Sequence, residues 1–261
     1  GVYFGGVDPK THEYYVYMET FGGGSGARFN KDGLSCVQVH MTNTSNLPIE
    51  SMEIEFPYMV EQYTLVPDSG GPGKFRGGLS MSKDIRVLGH DSQFTIKADR
   101  QKTPPWGLFG GQPGLPGVIT IYPGTDQEAV IDSKKSGTTL KSGGVLRCQM
   151  PGAGGYGNPL ERDRALIVHD LEEGYITPES ALRDYGLTEE DLAQIEVFGK
   201  RDEKSMQRLM NKERKRLDAL QEIRQHRQGY LRFMSGHLGA GWKAVRCRHP
   251  GRRRGSGARH D

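Results

Sequence analysis

The stretch PDSGGPGKFRGG, Pro67 to Gly78, sets five glycines beside Asp68, Lys74 and Arg76. Bare backbone amides next to a guanidinium are a way to hold an anion. On that reading Ser69 to Gly73 form a concavity, with Gly70, Gly71 and Gly73 giving amides and Arg76 giving charge. Two plainer readings compete. The glycine steps around Pro72 also suit a strand connection that needs φ > 0. FRGG also resembles an RNA-binding RGG element, but it occurs as a single copy between strands. No GK[ST] and no helix start follow, which argues against a Walker phosphate loop.

Three other stretches carry chemistry-bearing side chains. METFGGGSGARFNKDG (18–33) offers Arg28, to pair with Asp32 or with a substrate carboxylate, or simply a hairpin closed by Asp-Gly. VHMTNTSNLPIE (39–50) ends a strand in His40, Thr42, Asn43 and Asn46, which suits either a cleft wall or an Asx-bonded turn. DRQKTPPWGLFGGQPG (99–114) puts Asp99 and Arg100 before a Pro-Pro-Trp-Gly corner, with Trp106 as a packing anchor at a subunit interface. The eight histidines are scattered, and none has metal-ligand spacing, so no metal site is expected in this chain. Ser25 sits in GGGSG, one residue out of register for a nucleophile elbow.

The elements that must position these residues are mostly strands. Residues 1–157 read as a β-rich body, with strands expected at 12–20, 35–42, 50–56, 60–66, 84–88, 93–98, 117–122, 128–132 and 144–149, and glycine groups between them. From 158 to 198 the period changes to three short helices. The first starts at Asn158-Pro159 and stops at Gly174; the second is capped by Thr177 and stops at Gly186; the third pairs Thr188 with Asp191 in a capping box. Residues 199–235 carry a narrow apolar stripe at helical spacing and read as one long basic helix. Residues 236–261 have no period and read as a disordered tail. The fold class expected is α+β, a sheet or sandwich-like body closed by short C-terminal helices, with that long basic helix after them.

Bulk properties narrow the function. The net charge of +3 hides an asymmetry: residues 199–261 hold 18 Lys and Arg against 6 Asp and Glu, and the preceding residues hold 17 against 26. A basic tail on an acidic body leaves nucleic acid or an acidic protein as a partner for the tail alone. Three distant cysteines, Cys36, Cys148 and Cys247, form no CxxC pair and fit a reducing, cytoplasmic setting. No apolar run reaches the length of a membrane span, and no signal peptide is visible. A start at Gly1, directly before strand-like sequence, is what a processed or truncated product would show.

Taken in order, ETFGGGSGAR, HMTNTSNLPIE, PDSGGPGKFRGG, the ADR and PWGLFGGQPG pair, PGAGGYGNPLERD and DLEEGYITPESALRDYGL resemble the C-terminal part of the hydantoinase B/oxoprolinase family over residues 1–190. The resemblance implies one part of an ATP-dependent cyclic-amide hydrolase. An A-type subunit, carrying ATP and Mg, activates a small cyclic amide, and the B part completes hydrolysis. A divalent metal is implied only for the family's N-terminal half, which is missing here, so this chain alone is expected to be inactive. The glycine loops with Gly70, Gly71, Gly73, Arg76, Arg28 and Arg100 would close on the anionic intermediate and exclude water, with His40 and Asn43 beside them. The alternatives are an acetone-carboxylase-type subunit, or a non-catalytic assembly module whose basic tail recruits RNA or an acidic partner.

Overall fold

A computed structural model describes residues 1–38 and 44–195. The expected long basic helix and tail, and the segment with His40 and Asn43, lie outside the described residues. Two antiparallel sheets carry the body. One has the order β2(Tyr14–Glu19), β1(Val2–Val7), β5(Ser92–Lys97), β8(Lys134–Leu140). The other runs β3(Tyr58–Leu65), β4(Met81–Val87), β9(Val145–Gln149), β6(Val118–Ile121), β7(Ala129–Ile131).

Both sheets bury one face in a shared core. Val2, Phe4 and Tyr17 from the first sheet meet Tyr58, Ile85, Ile119 and Leu146 from the second. Alternation makes this arrangement: in β1 Val2 and Phe4 point in, and Tyr3 and Val7 point out. The α+β sandwich-like body is therefore the observed fold.

Two element expectations need correction, and one strand was missed. Residues 50–56 form no strand; Ile49–Glu55 is a helix, α1. Met52, Ile54 and Phe56 looked like one buried face, but only Met52 is buried, and Ile54 is exposed. Pro48, with φ near −53°, stands where a helix begins and favours that outcome. The strand expected at 35–42 shrinks among described residues to an isolated bridge between Val37 and Gly23. The strand β8 was not foreseen, because KKSGTTL has no apolar alternation.

The helical closure is close to expectation. Asn158 caps only a 3-10 turn, Pro159–Glu161, and α2(Arg164–Glu172) takes its own cap from Asp163, whose carboxylate accepts from the Ala165 amide at 2.8 Å. The extended Arg162 stands between them. The helix α3(Pro178–Tyr185) is capped by Thr177 and ended by Gly186 at φ 70°. Ahead of α4(Glu189–Ile195), Thr188 and Asp191 bond reciprocally. Ile167, Ile176, Ala181, Tyr185 and Leu192 make a second, smaller core.

Candidate functional site

Between the body and the helical closure lies a layer built almost entirely of backbone. The glycine groups 22–26, 69–78, 107–117 and 151–157 meet there. The segment 151–157 runs through the middle and bonds to each of the others. Gly24 donates to the Pro151 carbonyl, Ala153 to Gly78, Gly71 to Ala153, Leu108 to Gly155, and Gly155 to Gln112, all between 2.7 and 3.1 Å. A sheet strand has two neighbours; this segment has at least three.

The glycines here serve proximity. A Cβ on Gly70 would stand 2.1 Å from the Gly77 carbonyl oxygen, and one on Gly71 2.2 Å from that of Gln112. Neither residue has a positive φ. The expected turn with φ > 0 therefore does not occur at these positions. Close approach is what excludes a side chain.

Beneath this layer four charged side chains form a closed network. Arg76 Nε donates to Asp170 Oδ2 at 3.0 Å, and Nη2 donates to Oδ1 at 3.2 Å. Arg162 clasps both oxygens of Asp32 at 2.8 Å and reaches Asp170 at 2.6 Å. The Arg76 amide donates to Asp32 at 2.7 Å. The two guanidiniums also stand over aromatic rings, Arg76 over Tyr175 and Arg162 over Tyr185. Both arginines and Asp170 are buried. Asp68 adds a second tie: its carboxylate accepts from the Thr177 amide and hydroxyl at the start of α3.

This network sets the charge states. Burial works to raise the Asp32 carboxyl, but hydrogen bonds and charge from Arg162, with the Arg76 amide, outweigh it and hold the carboxyl below its ordinary value. Burial works against the Arg162 guanidinium, and Asp32 and Asp170 more than offset that. A depressed carboxylate stabilises the fold above its unfolded value and loses that contribution as pH falls through the folded one. Acid titration should therefore show loss of the helical closure below about pH 4. Far-UV circular dichroism against pH checks this, and the Asp32→Asn variant should lack that part of the transition.

The expected site residues separate into groups. Gly70, Gly71 and Gly73 are sealed into the layer, and Arg76 is consumed by Asp170 and Asp32. Arg28 is exposed and does not take Asp32, which Arg162 holds. Arg100 is exposed, has φ 61°, and stacks its guanidinium 4.7 Å over Trp106. Trp106 is itself exposed, and among the described residues its ring is covered by Arg100. Arg100, Gln101, Gly23 and Gln149 border a cleft of about 220 Å³, and the amide nitrogen of Gln101 is buried without a hydrogen-bond partner. Among the described residues no His, Cys, Asp or Glu group could hold a metal.

Sequence reading missed a buried ion pair. Lys83 Nζ donates to both oxygens of Glu19 at 2.8 Å. Tyr17 Oη and Asn46 Nδ2 also donate to that carboxylate, at 2.7 and 2.9 Å. Asn46 and Gln38 both donate to the Thr20 carbonyl, at 2.7 and 3.2 Å, so the two flanks of residues 39–45 are pinned to one point. No local signal marked it: Lys83 sits among Ser82, Asp84 and Arg86 in MSKDIRV, and its partner Glu19 is 64 residues away. Cys36, near these groups, has its thiol pushed up to about 11 by burial.

Comparison with known proteins gives this architecture a family. The Hydantoinase B/oxoprolinase family pattern matches residues 1–159. The chain belongs to that family. A Pseudomonas sp. (strain NS671) protein, provisionally described as the B-type subunit of a D-/L-hydantoinase, is 38% identical over 188 residues, which are 72% of this chain and 32% of that protein. Among solved structures, the ATP-dependent caprolactamase of Pseudomonas jessenii superposes with a TM-score of 0.63 at 22% identity, covering 76% of this chain and 37% of that one. An acetone carboxylase superposes with a TM-score of 0.61 at 20% identity, covering 82% and 35%. At these identities both structures show likeness of fold alone. The chain spans about a third of the length of each of these proteins. No helix among the described residues is long and apolar enough to cross a membrane.

Proposed function

We propose that this chain supplies the C-terminal part of a B-type subunit in an ATP-dependent hydrolase of small cyclic amides. An A-type partner carries ATP and Mg and activates the amide; the B side completes hydrolysis, in the cytoplasm. A divalent metal belongs, on this reading, to the part of a B-type subunit outside this chain. The family match over residues 1–159 is the observation that carries the reading. The name of the Pseudomonas relative, a hydantoinase subunit, supports both the substrate class and the need for a partner.

The residues take different roles in this reading. Arg28 and Arg100, both exposed, are the arginines proposed to meet an anionic intermediate. His40 and Asn43 are the proposed contacts from the stretch between Gln38 and Asn46, the two residues that bond to Thr20. Gly70, Gly71, Gly73 and Arg76 act one layer down, as the rigid floor that keeps the cleft in shape. A substrate held by charged hydrogen bonds loses about 1.5–3 kcal/mol when one is removed.

The test is reconstitution of a complete B-type subunit containing this region with an A-type partner. Turnover of a hydantoin or 5-oxoproline should require ATP and both parts, and this chain alone should give none. Arg100→Ala should lower kcat/KM about 10- to 100-fold at unchanged Tm. Turnover by the isolated chain without ATP, or wild-type kinetics in the variant, would refute the reading.

A further inference from the structure

The outer face of the first sheet is divided. On β1 and β2 it carries Tyr3, Val7, Tyr14, Val16 and Met18, each between 40% and 71% exposed. Register places them side by side: Tyr3 opposite Met18, Gly5 opposite Val16, Val7 opposite Tyr14. The Tyr14 hydroxyl lies 2.8 Å from where a Gly5 Cβ would stand, so its ring covers that gap. These five residues form one contiguous exposed patch, and contiguous exposed apolar surface marks an interaction site. On β5 and β8 the same face is polar, with Gln93, Thr95, Lys97, Lys134 and Ser136.

The two edges of this sheet differ in the same way. Edge strand β8, KKSGTTL, has lysines and a glycine at φ 64°, which discourage pairing with another strand. Edge strand β2, YYVYME, has no lysine and no proline, and its single charge, Glu19, is buried. A groove of about 500 Å³ runs beside it, between Val16 and Met18 on one side and Asn46, Leu47 and Phe56 on the other. One edge is built for water and the other is not.

We propose that this face and groove dock the further polypeptide that hydantoinase B-type subunits carry beyond the region matched here, through an apolar-faced segment laid beside β2. The choice of occupant rests on length. In the Pseudomonas hydantoinase relative and in both solved proteins, about two thirds of the chain lies outside the match, so each carries a large additional body alongside the equivalent of this region. A second copy of this chain would bury the same patch but would leave that body without a place on it. The inference rests on family membership and is independent of the catalytic reading: a lost complex strikes it, whereas a complex that forms but does not turn over strikes only the catalytic reading.

The experiment mixes the full chain with the separately expressed remainder of the Pseudomonas hydantoinase relative, the part outside the 188-residue match. Light scattering after gel filtration and titration calorimetry read the result. A 1:1 complex is expected, with β2 amides gaining protection from hydrogen exchange. Val16→Asp, at an exposed position and with unchanged circular dichroism, should weaken binding at least 100-fold, and Met18→Lys should act likewise. Thr95→Asp on the polar half should change it less than threefold. Three results would overturn the proposal: no complex at about 50 µM, a concentration that reveals even weak specific association; equal binding by Val16→Asp; or self-association of the wild-type chain that Val16→Asp abolishes, which would assign the face to a second copy.

Discussion

Asp170→Ala is expected to lower the stability of residues 1–195 by about 3–5 kcal/mol, the cost of breaking a buried ion pair from one side. The carboxylate is shared by two guanidiniums, Arg76 and Arg162, whose side chains are 5% and 0% exposed. Its loss leaves Arg76 Nε and Nη2 without their acceptors, in a place that water does not reach. Asp32 stays bonded to Arg162, so one cation remains paired while the other guanidinium keeps as hydrogen-bond and ring partners the Gly77 carbonyl and the Tyr175 ring. Urea titration followed by Tyr and Trp fluorescence measures the change. A loss under about 1 kcal/mol, the scale of an exposed pair, would show that the network is not structural. The same logic makes Arg76→Ala a folding variant: lowered turnover in it would report a collapsed floor, whereas Arg100→Ala leaves the interior untouched.

Gly154→Ala should cost about 3 kcal/mol or more, above the usual range for an overpacked core. Its Cβ would stand 1.8 Å from the Trp106 carbonyl oxygen and 2.4 Å from its carbon. Flexible side chains can swing away from such an intrusion, but here every atom met is backbone. The segment is also bonded on several sides, so a shift at 154 disturbs the bonds of Ala27 to Gly154 and of Gly155 to Gln112. Gly26→Ala is the control. Nothing lies within 4 Å of its Cβ and its φ is not positive. It should be neutral, or stabilising by up to about 1 kcal/mol through the unfolded chain. Equal midpoints in urea for the two variants would show that the backbone layer tolerates side chains.

How much of this was legible depends on whether the decisive partner is near in sequence. Thr177, Gly186 and the Thr188–Asp191 box were readable because a helix cap is completed within a few residues. A strand such as Ser92–Lys97, expected at 93–98, was readable from its own residues, whose burial does alternate. Ile49–Glu55 misled, since a seven-residue window with alternating carboxylates suits either period, and the start at Pro48 and the burial of Met52 alone favour the helix. The family was legible from ordered glycine motifs, but the reason for the glycines was not. Gly70 is excluded from bearing a side chain by Gly77, and Gly71 by Gln112, contacts that no local pattern encodes. Arg76 looked free beside Gly77 because its partners, Asp32 and Asp170, lie 44 and 94 residues away.

The backbone layer has a thermal consequence. It buries amides in place of hydrocarbon, and hydrating amides on unfolding lowers the heat capacity, whereas hydrating hydrocarbon raises it. The sandwich core and the glycine layer therefore contribute to the curvature of ΔG(T) with opposite sign. Residues 1–195 should have a flatter stability curve than a sandwich of the same length held by aliphatic side chains alone, and so resist cold better than their modest apolar content suggests.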